Sequence, residues 1–196
     1  MYSHQKFASL AAVGFLWSVP GFADTQLVIK SGPSWYTGDL GKVTSVGPAW
    51  GVAVSFQLIE ILDLEFSYEG SSNHFSNQPN AGLYRNGGTI AGKFFVPQLT
   101  VVRPYAMVGI GGAHVAQTGV VYTGNTAFGT SSSYDIFNVE IPFAIGIDVN
   151  LKPIAIGARA SYRYTPLRWE PGHILEAPLP PQGNIFDITA NVGVRF

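Results

Sequence analysis

The chain contains four histidines and no cysteine, and these counts limit the chemistry that its side chains could perform. His4 lies in an apolar N-terminal stretch, and His74 ("SSNHFSN") and His173 ("EPGHILE") lie in stretches rich in polar residues and glycine or proline. His114 follows a glycine-rich run. A metal centre needs several such ligands close together, and these four are too scattered to predict one. The lack of cysteine excludes disulfides and zinc–thiolate sites, so we predict no metal and no cofactor.

Charged residues recur at even spacings, and this is the second feature of the sequence that could support chemistry. Glu65 and Glu69 are four residues apart, and so are Arg159 and Arg163. Side chains two or four residues apart lie on one face of a β-strand. Whether these charges can meet depends on the elements that carry them.

The bulk composition predicts one domain with a poorly solvated surface. The chain has 196 residues, of which 46% are hydrophobic, so it is long and apolar enough to fold as a single domain. Charged residues make up 12%, about half the usual share for a soluble protein. A net charge of -1 supplies no basic field for nucleic acid, and we predict no nucleic-acid binding.

The first 23 residues, "MYSHQKFASLAAVGFLWSVPGFA", have the pattern of a secretory signal peptide. A short start with one lysine precedes an apolar run from Phe7 to Val19, and Gly21 and Ala23 have the spacing that a signal peptidase accepts. An N-terminal membrane anchor is the alternative, but this run is shorter than the roughly 20 residues that span a bilayer. We predict removal of residues 1–23, which leaves a mature domain of residues 24–196.

After Ala23 the hydrophobic pattern takes up a period of two, which is typical of β-strands. Between Phe137 and Val149, for example, large residues such as Phe143 and Ile145 alternate with Ala144 and Gly146. Eight such segments are predicted: Leu27 to Tyr36, Trp50 to Gln57, Leu62 to Glu69, Gly88 to Val96, Tyr105 to Ala116, Phe137 to Val149, Ile154 to Tyr164 and Phe186 to Phe196.

Long and short links alternate between these segments. The predicted long loops are Thr37 to Gly47, Gly70 to Gly87, Gln117 to Ser133 and Thr165 to Asn184. In an up-and-down sheet this parity places all four long loops at one end and both chain termini at the other.

In each segment, the face opposite to the large apolar residues, here called the small-residue face, indicates which side of the sheet is in contact with water. Residues such as Gly51, Ala53 and Ser55 with scattered charges would make a poor exterior for a soluble barrel. They suit the narrow interior of an eight-stranded barrel, which side chains just fill. The large apolar residues would then face outward, which lipid tolerates and water does not. We therefore predict an all-β fold, an eight-stranded antiparallel up-and-down transmembrane β-barrel, in preference to a secreted soluble barrel or sandwich.

The stretches "RPYAMVGIGG" and "NVGVRF" resemble the small outer-membrane β-barrel proteins related to the OmpA transmembrane domain and to OmpX. The resemblance covers Thr25 to Phe196. It implies an outer-membrane location in a Gram-negative-type bacterium, periplasmic N- and C-termini, and contact with outer-membrane lipid and lipopolysaccharide. Unlike full-length OmpA, the chain is expected to have no peptidoglycan-binding domain after Phe196, so the resemblance implies no cell-wall tether.

In that family the barrel-assembly machinery reads the terminal strand, which ends in phenylalanine. Carried over, this assembly signal comprises Phe186, Ile188, Ala190, Val192, Val194 and Phe196.

Some barrels of this size modify lipids, so that activity is an alternative. The lipid A deacylase barrels carry a histidine and a serine two residues apart on a late strand, whereas the comparable stretch here reads "ASYRYTP", without histidine. A palmitoyltransferase-like set in the loops stays open, since the loops contain many serines together with Asp39 and Asp135. We predict no catalytic residue and no enzyme activity.

The charges on the small-residue face are nearly balanced, with six acids and five bases. They are Asp63, Glu65, Glu69, Glu140, Asp148 and Asp187, and Lys30, Lys93, Arg159, Arg163 and Arg195. An ion-conducting lumen and a salt-bridged plug are both compatible with this set, and the narrow bore favours the plug. We predict an interior charge network of Glu65, Glu69, Lys93, Glu140, Arg159, Arg163, Asp187 and Arg195.

The function predicted from these patterns is a structural or surface-interaction role through four long extracellular loops. The alternatives are a narrow channel for small or hydrophobic solutes and a lipid A-modifying enzyme. We expect a monomer, while the sequence identifies no surface ligand.

Overall fold

The computed structural model describes residues 24–97, 101–121, 131–169 and 183–196. The predicted signal peptide, residues 1–23, lies outside these ranges, as do His4 and His173.

Eight antiparallel strands form a closed barrel in which each strand pairs with its neighbours in chain order. The last strand pairs with the first and closes the ladder. The predicted fold class is confirmed. The strands are β1 (Thr25–Tyr36), β2 (Gly47–Ile59), β3 (Leu62–Phe75), β4 (Gln78–Phe95), β5 (Val102–Val121), β6 (Ser131–Asn150), β7 (Ile154–Trp169) and β8 (Ile185–Arg195).

The outer wall of the barrel carries the large apolar residues of the period-two pattern. Ile29 on β1 is 64% exposed and Ile145 on β6 is 68% exposed. Their sequence neighbours Lys30 and Ala144 are buried on the inner face. Every strand contributes such outward apolar side chains, for example Val52, Phe66, Ile90, Ile110, Ile156 and Val192. A continuous apolar wall of this kind is stable against lipid hydrocarbon and unfavourable against water.

The largest departure from the predicted architecture lies between β3 and β4. The residues from Gly70 to Gly87 were predicted to form a long loop, and this prediction is wrong. β3 continues to Phe75, β4 begins at Gln78, and only Ser76 and Asn77 form the turn. Backbone pairing runs on from Gly70 with Asn86 to His74 with Gly82.

The other predicted loops are also shorter than expected, because strands extend into them. β5 reaches Val121 and β6 starts at Ser131, while β7 reaches Trp169. The prediction of four long loops therefore fails for the β3–β4 link. The strand ends that residues 37–46, 122–130 and 170–184 connect lie at the end of the barrel opposite to the termini, which we call the loop end.

The first of these links contains a short helix, α1 (Gly38–Val43). Gly38, at its start, has a φ of 69°, a conformation that favours glycine. The Ser76 amide donates to the Val43 carbonyl at 2.8 Å, and the Ser45 amide donates to the His74 carbonyl at 2.8 Å. These bonds attach the helix to the β3–β4 turn.

Within the described residues, no helix is both long enough and apolar enough to cross a membrane.

Candidate functional site

The lumen is the part of the molecule where chemically active side chains converge. Three layers fill it along the barrel axis. An apolar lid lies at the loop end, an ion-paired cluster lies in the middle, and a second polar and aromatic layer lies towards the termini.

The lid is built from inward residues at the loop ends of four strands and from α1. Tyr36 of β1, Leu83 of β4, Val115 of β5 and Ile185 of β8 are buried together around Leu40 of α1. Val43 and Phe75 pack against this group. The helix thus places an apolar side chain over the loop end of the lumen.

Arg85 on β4 and Glu140 on β6 form the upper part of the central cluster. Arg85 Nε donates to Glu140 Oε1 at 2.8 Å, and Arg85 Nη2 donates to Oε2 of the same carboxylate. Glu140 has no solvent exposure. This two-point geometry matches the planar guanidinium to the carboxylate.

Arg163 on β7 joins three carboxylates from three other strands. It forms ion pairs with Asp187 of β8 and Glu69 of β3. Its Nε lies 4.0 Å from Glu140 Oε2. The side chain therefore links opposite parts of the barrel wall.

Lys30 and Arg159 complete the central cluster. Lys30 pairs with Glu69 and lies 3.4 Å from Glu65 Oε1. Arg159 donates to both carboxylate oxygens of Glu65, at 2.7 and 2.6 Å, and to the Tyr105 hydroxyl at 2.9 Å.

Charge is balanced within this cluster. Its four carboxylates are Glu65, Glu69, Glu140 and Asp187, and its four cations are Lys30, Arg85, Arg159 and Arg163, all of them buried. Each carboxylate has at least one cationic partner. Removing one member would leave an opposite charge buried without its partner, which is the costly outcome in a confined interior.

Lys93 belongs to the layer nearer the termini. Its Nζ lies 2.5 Å from Asp148 Oδ2 and 4.0 Å from the centre of the Tyr105 ring. Phe95 and Met107 pack in the same layer. The ammonium group therefore has both an ion-pair partner and an aromatic face.

Arg195 lies apart from the central cluster, at the terminal rim of the barrel. Its Nε is 2.5 Å from Asp24 Oδ1, and its Nη2 donates to Gln57 Oε1 at 3.3 Å. The structure thus brings together six of the eight charges named from the sequence. It places Lys93 in a separate pair and Arg195 at the rim.

Arg85 is the central residue that the sequence analysis missed. The sequence analysis assigned Arg85 to the predicted loop from Gly70 to Gly87. A residue in a loop cannot be assigned to the inner or the outer face of a sheet. Arg85 lies eight residues before Lys93 on the same strand, and this even interval was the signal that could have placed both side chains on one face.

The C-terminal strand β8 lies between β7 and β1. Ile188, Ala190, Val192 and Val194 face outward, and the Phe186 ring lies 4.8 Å from the Trp35 ring. The Phe196 amide donates to the Thr25 carbonyl at 2.9 Å, and the Thr25 amide donates to the Phe196 carbonyl at 2.8 Å. The last residue therefore lies at the seam that closes the barrel.

Metal-binding side chains do not cluster in the part of the chain that the structure describes, where no group of three or more His, Asp or Glu residues could hold an ion. His74 and His114 are exposed and lie on different strands.

An ion pair on α1 is fully exposed to solvent, in contrast to those of the lumen. Lys42 Nζ donates to Asp39 Oδ1 at 2.8 Å, and this hydrogen bond lowers the pKa of the Asp39 carboxyl below its ordinary value. Exposed pairs of this type contribute little to stability.

No protein-family model and no curated protein sequence matches the chain. Solved structures do share its fold. Neisserial surface protein A (NspA) matches with a TM-score of 0.60 and 11% identity, covering 88% of this chain and 97% of that one. A second match is Ail, the attachment invasion locus protein of Yersinia pestis, in a crystal structure with the heparin analogue sucrose octasulfate. The TM-score is 0.56 and the identity is 14%, and the match covers 88% of this chain and 98% of that one.

The outer membrane protein OprG of Pseudomonas aeruginosa is a third match, with a TM-score of 0.51 and 9% identity over 87% of this chain and 95% of that one. At these identities the likeness concerns the fold. The chain has the fold of the small outer-membrane β-barrels.

Proposed function

We propose that the protein is a monomeric outer-membrane barrel with a closed lumen, which acts as a structural or surface-interaction protein through the loop end of its wall. The observation that carries this proposal is the filled interior, with the balanced ion-pair cluster below the apolar lid. The exposed apolar wall supports the membrane location.

The closed lumen supports a role other than conduction. A solute crossing the centre would have to separate buried pairs such as Arg85–Glu140 and Arg159–Glu65. It would also have to displace Leu40 at the loop end. Both steps are costly in a low-dielectric interior.

The proposed orientation places the loop end outside the cell and both termini in the periplasm. β8 would then be the strand that the barrel-assembly machinery reads, with Phe196 as its last residue. The wall would contact outer-membrane lipid, including lipopolysaccharide in the outer leaflet.

Conductance in planar bilayers tests the closed lumen. The barrel is purified from the outer membrane in detergent, and its folding is verified by a gel shift between unheated and boiled samples. We expect no discrete current steps, whereas a 16-stranded porin in the same bilayers conducts. Regular current steps from the folded barrel would contradict the proposal and support the narrow channel.

Epitope accessibility in intact cells tests the orientation. A tag inserted between residues 170 and 182 should be labelled from outside. A tag at Leu151, in the exposed turn between β6 and β7, should be labelled only after permeabilisation. The reverse result would contradict the proposed orientation.

Mass spectrometry of lipid A from cells that overproduce the protein tests the enzymatic alternative. We expect the lipid A masses to match those of cells carrying an empty vector. A new lipid A species that depends on the protein would contradict a purely structural or surface role.

A further inference from the structure

The part of the wall where β3 and β4 approach the loop end is polar on its outward side. Ser72 of β3 pairs with Tyr84 of β4, and the adjacent outward row joins Gly70 and Asn86. His74, one row further towards the loop end, is exposed. Nearer the termini, the large outward side chains of both strands are apolar or aromatic. Because the apolar band marks the lipid layer, these polar rows lie outside the hydrocarbon.

The outward side chains of Ser72, His74, Tyr84 and Asn86 are here called the polar face. Its aromatic ring is fixed on one side and open on the other. A methyl group placed on Gly82, two residues before Tyr84 on β4, would lie 3.3 Å from Tyr84 Cε2 and 3.7 Å from Cζ. The ring therefore leans along the strand over Gly82, and the residue is 42% exposed.

Trp50 of β2 supplies a second ring at the edge of the polar face. It pairs with Gly70, and a methyl group placed on Gly70 would lie 2.6 Å from both Cε2 and Nε1 of Trp50. The same methyl group would lie 2.7 Å from Asn86 Oδ1. The indole therefore leans across β3 towards Asn86, while Trp50 is 41% exposed. Two rings thus lean against the wall, with Ser72 and Asn86 beside them.

The polar face carries hydrogen-bonding groups but no Lys, Arg, Asp or Glu. The side chains of Ser72, Tyr84 and Asn86 make no hydrogen bond to another residue that the structure describes. Of the side chains described at the loop end, the exposed charged ones are Asp39 and Lys42, which pair with each other at 2.8 Å. Hydroxyl and amide groups both donate and accept hydrogen bonds, so the surface is suited to a neutral partner rich in hydroxyls.

The backbone under the polar face is already paired. Pairing between β3 and β4 continues to His74 with Gly82, and pairing between β4 and β5 continues to Gly82 with Thr118. A peptide could not add to these strands as a further strand, since that mode of binding needs an open edge. The polar face therefore offers a partner its side chains alone.

We propose that the polar face and Trp50 bind a neutral, β-1,4-linked glycan. This linkage between sugars with equatorial hydroxyls makes an extended ribbon, with C–H groups on its broad sides and hydroxyls on its edges. The negative face of an aromatic ring attracts such C–H groups, so sugar units stack on Tyr84 and Trp50. The edge hydroxyls bond with Ser72 and Asn86. This inference specifies the proposed surface role and rests on the proposed orientation, which places the loop end outside the cell.

Ligand-observed NMR titration of the full barrel, purified from outer membranes, tests this site. The detergent is an amine oxide, which has no sugar headgroup. The neutral β-1,4 probes are cellohexaose and chitohexaose, the α-1,4 probe is maltohexaose, and the acidic probe is chondroitin sulfate. The test variant is Tyr84→Ala. Its matched control is Tyr164→Ala, because Tyr164 is 47% exposed on the outer wall of β7.

We expect wild type and Tyr164→Ala to bind a β-1,4 hexaose with equal affinity and more tightly than maltohexaose, whose linkage coils the chain. Tyr84→Ala should bind it about tenfold more weakly, as is typical when an aromatic residue central to a contact is truncated. Tyr84→Phe keeps the ring and should retain most of the affinity. If Tyr84→Ala does not show the gel shift of the folded state, Tyr84→Leu replaces it, since leucine is apolar but has no ring.

The proposal would be overturned if wild type bound neither β-1,4 hexaose, or if the folded Tyr84 and Tyr164 variants bound them equally. Tighter binding of chondroitin sulfate than of the neutral probes would overturn the choice of a neutral glycan. These results leave the closed lumen and the orientation intact, because conductance and epitope labelling test those separately. Labelling of the Leu151 tag from outside would instead contradict the proposed function, whatever the purified barrel binds.

Discussion

Arg85 and Glu140 form a two-point ion pair across β5, with Arg85 Nε 2.8 Å from Glu140 Oε1 and both side chains buried. Arg85→Met should therefore leave a carboxylate buried without its closest cation. We expect the free energy of unfolding to fall by about 3–5 kcal/mol, measured by urea titration of the folded barrel in detergent. Lys152→Met, in the exposed β6–β7 turn, is the control and should stay within about 0.5 kcal/mol of wild type.

A double-mutant cycle distinguishes the two arginines that approach Glu140. The Arg163 Nε lies 4.0 Å from Glu140 Oε2, while Arg163 also pairs with Glu69 and Asp187. We expect Glu140→Gln to recover part of the loss in Arg163→Met, and a larger part in Arg85→Met, since coupling follows direct contact. Strictly additive losses in both cycles would show that Glu140 is coupled to neither arginine, and the plugged-lumen interpretation would lose its main support.

The sequence predicted the barrel because the lipid-facing wall imposes an alternation that can be read residue by residue. Between Phe137 and Val149 every second residue must be apolar to face hydrocarbon, and the predicted strand is there in the structure. The same rule identified Glu140 and Arg163 as inward residues, since charges on a lipid-facing position would be costly.

The rule fails where the wall leaves the lipid layer. From Gly70 to Gly87 polar residues such as Ser72 and Asn86 occupy the outer face, and Asn73 and Arg85 occupy the inner one. Backbone pairing continues there without any contrast in hydrophobicity. The stretch therefore reads as a loop, and Arg85 is missed for that reason.

The apolar lid was not predicted for a related reason. Leu40 shares the link of residues 37–46 with only two other large apolar residues, Val43 and Val46, and its burial depends on Leu83, Val115 and Ile185 from distant strands. No local pattern signals such a contact, which only the closed barrel creates.

Leu40→Ala tests the contribution of the lid. Leu40 is 7% exposed, and truncating a buried leucine costs about 2–5 kcal/mol; we expect the lower end, because the site lies at the rim. Urea titration provides the measurement, with Val46→Ala as the control, since Val46 is 64% exposed in the same link. If the two variants had the same unfolding midpoint, the lid would not contribute to stability.

Lys93 tests whether the layer nearer the termini is independent of the central cluster. Its ion-pair partner is Asp148, with a distance of 2.5 Å between Lys93 Nζ and Asp148 Oδ2, whereas Glu140 pairs with Arg85 and Arg163 in the central cluster. We expect Lys93→Met to destabilise the barrel, and Asp148→Asn to recover part of that loss. Combining Lys93→Met with Arg85→Met should give additive losses within about 0.5 kcal/mol, as for distant sites. A strong coupling between these two cations would contradict the division into layers.

Variants of Phe196 can distinguish an effect on the stability of the folded barrel from an effect on its assembly in the cell. Its backbone closes the seam with Thr25, while its side chain is 59% exposed. Phe196→Ala keeps both backbone hydrogen bonds, so we expect the free energy of unfolding in detergent to change by no more than about 0.5–1 kcal/mol. If the ring belongs to the assembly signal, the same variant should accumulate less in the outer membrane, measured by the folded band on unheated gels of membrane fractions.

Deletion of Phe196 should reduce both the yield and the stability, because it also removes the seam bonds, whereas deletion of one residue between 170 and 182 should affect the yield less. Equal outer-membrane yields of wild type, Phe196→Ala and the Phe196 deletion would show that the terminal residue is not read during assembly.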